Sequence, residues 1–323
     1  MTNVSLDAFL ARLRAAPDAA DPAPPARYGP YRSYRGLFEH VHALCQETGA
    51  TAETFGRSTE GEPMWAVRIG PTAGARRRVL FLANLHAQEF IGVEAALFAF
   101  AACARRIAAA DAGFAGVELT LVPTANPDGY RRVAAGLATN DVRFRRKNAR
   151  GVDLNRNFAE GWDKNAWLPR LLPFIYDPGE SPLSEPETSA LDSLFSRRFD
   201  RALSFHSFGA WIFWPWAGRR AQTADEPRFA ALAAQMQRAM PRPYKTIQLG
   251  RWARWFRAGG AEIDHLYGRY RTLAFLIEVS EGGRKMADPG SWLDAFTWFN
   301  PPDVQREAEN AAAAAMALVE GEV

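Results

Sequence analysis

Imidazole, carboxylate and guanidinium side chains stand at the ends of apolar runs in this sequence, which is where chemistry is done in a protein built from strands. The stretch VLFLANLHAQEFIG, residues 79–92, begins as a buried strand and runs into His86, with Glu89 three positions later. The run RALSFH ends on His206, and TLAFLIEV places Glu278 after five apolar residues. Two imidazoles and one carboxylate make a hydrolytic zinc site that leaves one coordination position for water. A second carboxylate outside the metal's reach can then take the proton. His86, Glu89 and His206 have the residue types for the first task and Glu278 for the second. A buried glutamate needs a partner in any case. On spacing and strand position alone, a metal site and a purely structural role carry equal weight. The chain has five histidines, and His40 and His42, two apart on an expected helix, point in different directions and read as surface residues.

A third element of chemistry lies in RFRRKNARGVDLNRNF, residues 143–158. Its first half reads equally well as a solvated basic loop. The second half sets Asn155 beside Arg156, and a guanidinium offers a planar fork of donors that matches a carboxylate. Asp153, two residues earlier, is placed to accept the free ring N–H of a metal-bound histidine. The turn TANPDGY, after ELTLVP, is a further polar motif at a strand end. Ligands of open α/β sheets bind beyond the carboxyl ends of the strands, where such loops meet.

These residues require a sheet to hold them. Strands are expected at MWAVRIG, at residues 79–85, and at VELTLVPT, RALSFH and TLAFLIEV. Helices are expected at GLFEHVHALCQETG, over about 92–109, and from near Pro302 to the C-terminus. This alternation is the rhythm of an α/β protein with a mostly buried mixed sheet. Ser5 is placed to cap a short helix with Leu6, Phe9, Leu10 and Leu13 on one face. PDAADPAPPARYGP then reads as a linker. The arm can pack on its own domain or on a partner. The expected organisation is an N-terminal helix and Pro-rich linker over residues 1–30 and one catalytic domain over 31–323.

The chain has 323 residues, 48% of them hydrophobic, enough for one large α/β domain. Its 39 Lys and Arg nearly balance 36 Asp and Glu, for a net charge of +3, so nucleic acid is not an expected partner. No apolar run reaches the length of a membrane span, and the N-terminus lacks the pattern of a secretory signal. With two cysteines, Cys45 and Cys103, there is no disulfide framework, and a cytoplasmic location is expected.

Seven ordered motifs, HAQE, NPDGY, FRRK, GVDLNRNF, SFHSFGAWIFWPW, FRAGGAEID and FLIEVSEGG, resemble those of the zinc carboxypeptidase family, which includes the pancreatic carboxypeptidases A and B. The resemblance covers roughly residues 31–320. It implies a three-layer α/β/α sandwich around a mixed sheet of about eight strands. It also implies one Zn2+ per chain held by His86, Glu89 and His206, with Glu278 as general base and acid. Arg146 would polarise the substrate carbonyl, with its neighbour Arg145 the competing choice. Asn155 and Arg156 would grip the terminal carboxylate of a peptide substrate, and Asp153 would support the first histidine.

The chain departs from the family pattern in places. Phe256 falls where the digestive enzymes carry a mobile tyrosine, so a hydrogen bond of about 0.5 to 1.5 kcal/mol is lost. Tyr267 or Tyr270 would be the candidates to replace it. Gln88 falls where an arginine contacts upstream substrate residues. Ile263 falls at the base of the specificity pocket, with Phe213 and Ala217 on its walls, which favours an apolar or aromatic C-terminal residue over Lys or Arg. No folded pro-domain precedes the catalytic pattern, so an enzyme made active inside the cell is expected. Two alternatives share the motifs: an amidase cleaving γ-D-glutamyl-diaminopimelate bonds of murein peptides, and a non-catalytic peptide-binding module.

Overall fold

The computed structural model describes residues 4–283 and 293–323. Eight strands form one mixed sheet: β1 Thr51–Arg57, β2 Pro63–Ile69, β3 Arg77–Ala83, β4 Val117–Val122, β5 Arg201–His206, β6 Trp211–Trp214, β7 Lys245–Gln248 and β8 Leu273–Glu278. Their order across the sheet is β1-β2-β4-β3-β5-β8-β6-β7. The four inner strands β4, β3, β5 and β8 run parallel, while β2 joins β4, and β6 joins β8, in antiparallel fashion.

The inner strands read as nearly continuous apolar runs because helices cover both of their faces. Successive residues of β3 divide between the two faces: Val79, Phe81 and Ala83 enter one apolar core, and Leu80 and Leu82 the other. In β8, Leu273, Phe275 and Ile277 face the first core, while Ala274 and Leu276 face the second. The first core lies under helix α1 (Leu6–Ala15), helix α2 (Tyr34–Thr48), helix α3 (Phe90–Ala108) and the C-terminal helix Val304–Glu320. Alanines dominate where the last two meet, including Ala96, Ala99, Ala311 and Ala315, all without solvent exposure. Small side chains let two helix backbones approach closely. The second core is covered by the helices Pro186–Phe195 and Glu262–Tyr270, through Leu191, Phe195, Ile263 and Leu266. The result is the three-layer sandwich expected from the motifs.

Three outer strands, the edge strands β1 and β7 and the short β6 beside β7, escaped the sequence reading. β1 alternates exposed and half-buried positions, and β6 and β7 are four residues each. Their patterns are too short or too polar to stand out. No helix among the described residues is long and apolar enough to cross a membrane.

The N-terminal arm packs on its own domain. Ser5 caps α1 by accepting from the Ala8 N–H. Phe9 is 1% exposed, and its ring lies 4.9 Å from that of Phe38 and 5.3 Å from that of Trp65. Tyr31, near the end of the linker, sits edge-on to Phe90 and Phe296 and donates its hydroxyl to the Pro301 carbonyl. Truncating a buried phenylalanine costs its transfer energy and leaves a cavity, so Phe9→Ala is expected to lose about 3 kcal/mol or more. A urea unfolding curve measures this, and an unchanged midpoint would mean that α1 contributes nothing to the core.

Candidate metal centre and its arginines

Sheet register and one sharp turn assemble the site. β3 ends at Ala83, and Asn84 turns the chain in the left-handed region, at φ 60°. The Asn84 side chain holds the turn by donating to the His86 and Ala87 carbonyls while accepting from the Thr124 hydroxyl. His86 therefore leaves the strand at a fixed angle, and Glu89 stands immediately before α3. The start of α3 lies directly on β5: a Cβ added at Gly92 would meet the Phe205 carbonyl oxygen at 2.8 Å. This close approach sets Glu89 beside His206, the last residue of β5. His206 is in turn the register partner of Glu278 on β8.

The ligand atoms of His86, Glu89 and His206 lie within 4.8 Å of one another, and all three residues are buried. Glu89 Oε1 is 2.8 Å from His86 Nδ1, and Glu89 Oε2 is 2.9 Å from His206 Nδ1. The two Nδ1 atoms are 3.0 Å apart. Two imidazole nitrogens and a carboxylate aimed at one point form a donor set that suits zinc. Burial works against a charged His206, but Glu89 and Glu262 outweigh it and raise its pKa. The same field favours a bound dication.

Each histidine is backed by a carboxylate. Asp153 Oδ1 lies 3.3 Å from His86 Nε2. The partner of His206 was not foreseen: its Nε2 is 3.2 Å from Glu262 Oε1 and 3.0 Å from the Ser204 hydroxyl. Ser204 shares the face of β5 with His206, two residues on. Glu262 opens the helix Glu262–Tyr270 and is wholly buried. A glutamate in a first helical turn is ordinarily a surface residue that complements the helix dipole, so nothing local marked it.

Arg146, rather than Arg145, faces the metal group. Its Nε donates to Asp153 Oδ2 at 2.8 Å, and its Nη1 is 4.0 Å from Glu89 Oε1. Arg145 instead pairs with Asp141 at 2.5 Å. Burial opposes ionisation of Asp153, yet Arg146 and Arg156 hold its carboxyl far below the usual range. Asn155 and Arg156 lie on a single 3-10 turn, Leu154–Arg156. Asn155 Oδ1 accepts from the Glu262 N–H at 3.0 Å, which joins this turn to the helix that backs His206. The NPDGY turn supports these loops rather than meeting the metal group. Asn126 caps helix α4 (Pro127–Ala138) and donates to the carbonyls of Leu85 and Lys147, one from each neighbouring loop.

Glu278 is partly exposed, but its Oε2 is shielded from solvent and has no hydrogen-bond partner. Burial first, and then the Glu89 carboxylate, push its pKa up to about 8. Ile263, Phe213 and Ala217 share one buried cluster, and Phe256 packs against it half-buried. Gln88 is 2% exposed and accepts from the Arg145 N–H, so its side chain braces the FRRK segment. Tyr267 and Tyr270 are committed elsewhere, donating to Asp225 and Asp192.

A family model described as zinc carboxypeptidase matches residues 41–314. Carboxypeptidase A6 of Mus musculus is 25% identical over 281 residues, covering 79% of this chain and 61% of its own length. Gamma-D-glutamyl-L-diamino acid endopeptidase 1 of Lysinibacillus sphaericus is 36% identical over 114 residues, covering 30% of this chain and 28% of its own length. The crystal structure of carboxypeptidase A from Helicoverpa armigera superposes with a TM-score of 0.70 at 21% identity, covering 97% of this chain and 79% of that one. The chain spans about half to three-fifths of the length of several curated relatives it matches. The family's cofactor is one Zn2+, for which His86, Glu89 and His206 form a fitting group. By the extent of the family match, this chain belongs to the zinc carboxypeptidase family.

Proposed function

We propose that the protein is a zinc-dependent carboxypeptidase that hydrolyses the C-terminal peptide bond of a peptide with a free terminal carboxylate. The observation that carries this reading is the convergence of three ligand-type side chains on one point, with the shielded carboxyl of Glu278 across the β5–β8 register. Zinc bound there would supply Lewis acidity and an acidified water.

The chain's own residues supply the rest. Glu278 takes a proton and returns it to the departing amine, a task suited to an unpartnered carboxyl that stands across the β5–β8 register from His206. Arg146 donates to the carbonyl oxygen as charge grows on it, from a position fixed by Asp153. Asn155 and Arg156 hold the terminal carboxylate, which restricts cleavage to the last residue. The specificity position carried over to Ile263, with Phe213 and Ala217, lies in one buried apolar cluster, which supports a preference for an apolar or aromatic terminal side chain. The nearby Asp264 carboxylate is already occupied by the backbone N–H groups of Ala217 and Gly218, so it does not invite a cationic one.

A second reading, a murein-type amidase acting on γ-D-glutamyl-diamino-acid bonds, is favoured by the 36% identity to the Lysinibacillus endopeptidase. Both readings use the same metal and carboxylate grip. The zinc-loaded protein is to be incubated with peptides varied at the C-terminus and with a γ-D-glutamyl-diaminopimelate tripeptide, with and without a chelator. Mass spectrometry is expected to show chelator-sensitive loss of single C-terminal residues, apolar ones first. Selective cleavage of the tripeptide would promote the amidase, and cleavage of neither would remove both readings.

Two variant sets test the roles. Glu278→Gln is expected to keep zinc and lose turnover by at least about a hundredfold, because the proton carrier is gone. Retained turnover would eliminate Glu278 as the base. Asp153→Asn and Glu262→Gln are each expected to weaken zinc binding about 10- to 100-fold in a chelator competition. Unchanged zinc affinity in either variant would mean that its carboxylate does not support the ligand beside it.

A further inference from the structure

We infer that Tyr176 is a substrate-binding residue whose hydroxyl donates a hydrogen bond to the carboxylate held at Arg156. The inference rests on the proposed carboxypeptidase reading and deepens it.

Arg156 is the starting point. It is 5% exposed, yet among the described residues it forms no ion pair, and its Nη1 donates only to the Asn155 carbonyl. Arg146, by contrast, has Asp153. Asp153 and Glu262 act on it through space but neither bonds to it, so the fork of this buried guanidinium has donors left for an anionic ligand.

Tyr176 stands over this cation. It ends the short helix Pro173–Tyr176, and its ring centroid lies 5.2 Å from the Arg156 guanidinium carbon and 5.6 Å from that of Arg146. The segment is tied to the arginine turn by the next residue, since the Asp153 N–H donates to the Asp177 carbonyl at 2.8 Å. Among the described residues the Tyr176 hydroxyl has no hydrogen-bond partner, and the residue is only half-buried. An unpaired phenol therefore flanks an unpaired buried guanidinium, and one carboxylate would satisfy both.

The other aromatic beside Arg156 is Phe256, at 5.9 Å, which has no donor to offer. The Tyr267 and Tyr270 hydroxyls are bonded to aspartates elsewhere. Of these aromatic residues, Tyr176 has the free donor at the arginine.

The test uses the zinc-loaded protein with Glu278→Gln, which binds without turning over. An N-acylated dipeptide with a free C-terminal carboxylate and its C-terminal amide are each titrated by calorimetry. The parent is expected to prefer the acid, and adding Tyr176→Phe is expected to shrink the acid-to-amide affinity ratio by about tenfold or more. In the active enzyme, Tyr176→Phe is expected to raise KM by a similar factor while kcat changes by less than about twofold. Phenylalanine keeps the ring over both guanidiniums, so the readout isolates the hydroxyl. A parent that fails to distinguish acid from amide would bring down the functional reading itself. A parent that does, alongside an undiminished ratio in Tyr176→Phe, would overturn the role of Tyr176 alone, as would a fall in kcat with KM unchanged.

Discussion

Four carboxylates, Glu89, Asp153, Glu262 and Glu278, meet two imidazoles and two guanidiniums in one largely buried region, and the remaining architecture answers to that balance of charge. None of these acids is cheap to bury alone. They come from four different elements: Glu89 from the turn that caps α3, Asp153 from the start of the Leu154–Arg156 turn, Glu262 from the helix Glu262–Tyr270, and Glu278 from β8. The order of the sheet brings those elements together, because β3, β5 and β8 lie side by side and parallel, with their carboxyl ends at one edge. Parallel strands all present their carboxyl ends to the same side, and there the loops can exchange side chains.

Much of this arrangement was legible in the sequence because the inner strands are continuous apolar runs that end abruptly on polar residues. His86, His206 and Glu278 announce themselves as interruptions of such runs. The outer strands have no comparable signature, since an edge strand satisfies only part of its surface and its pattern dissolves into that of a loop. The choice between Arg145 and Arg146 could not be read from adjacent letters. It depends on which guanidinium faces Asp153, and that is settled by the path of the backbone through the Ala87 N–H to Arg146 carbonyl bond. Glu262 was hidden for a different reason. Its importance comes from a partner 56 positions away, and nothing in its own surroundings differs from an ordinary helix start.

The aromatic side chains around the arginines add a second layer of organisation. Tyr176 and Phe256 both lie over Arg156, and Trp252 and Trp255 hold Phe256 edge-on. Flat rings shield a guanidinium from water without taking its hydrogen-bond donors. The arginine therefore keeps its fork available, and its charge is felt more strongly by whatever anion arrives.

The missing Cβ at Gly92 has a mechanical meaning. Contact between the backbone of α3 and the Phe205 carbonyl makes that point a fulcrum, and α3 a lever whose short arm carries Glu89 and whose long arm lies against the C-terminal helix through paired alanines. A side chain enlarged at that distant seam, at Ala99 or Ala311 for example, would overpack a fully buried position where the two helices meet. The close approach at Gly92 thus fixes where α3 starts on β5, and with it the seat of Glu89 beside His206, while the alanine seam holds the rest of the same rigid helix.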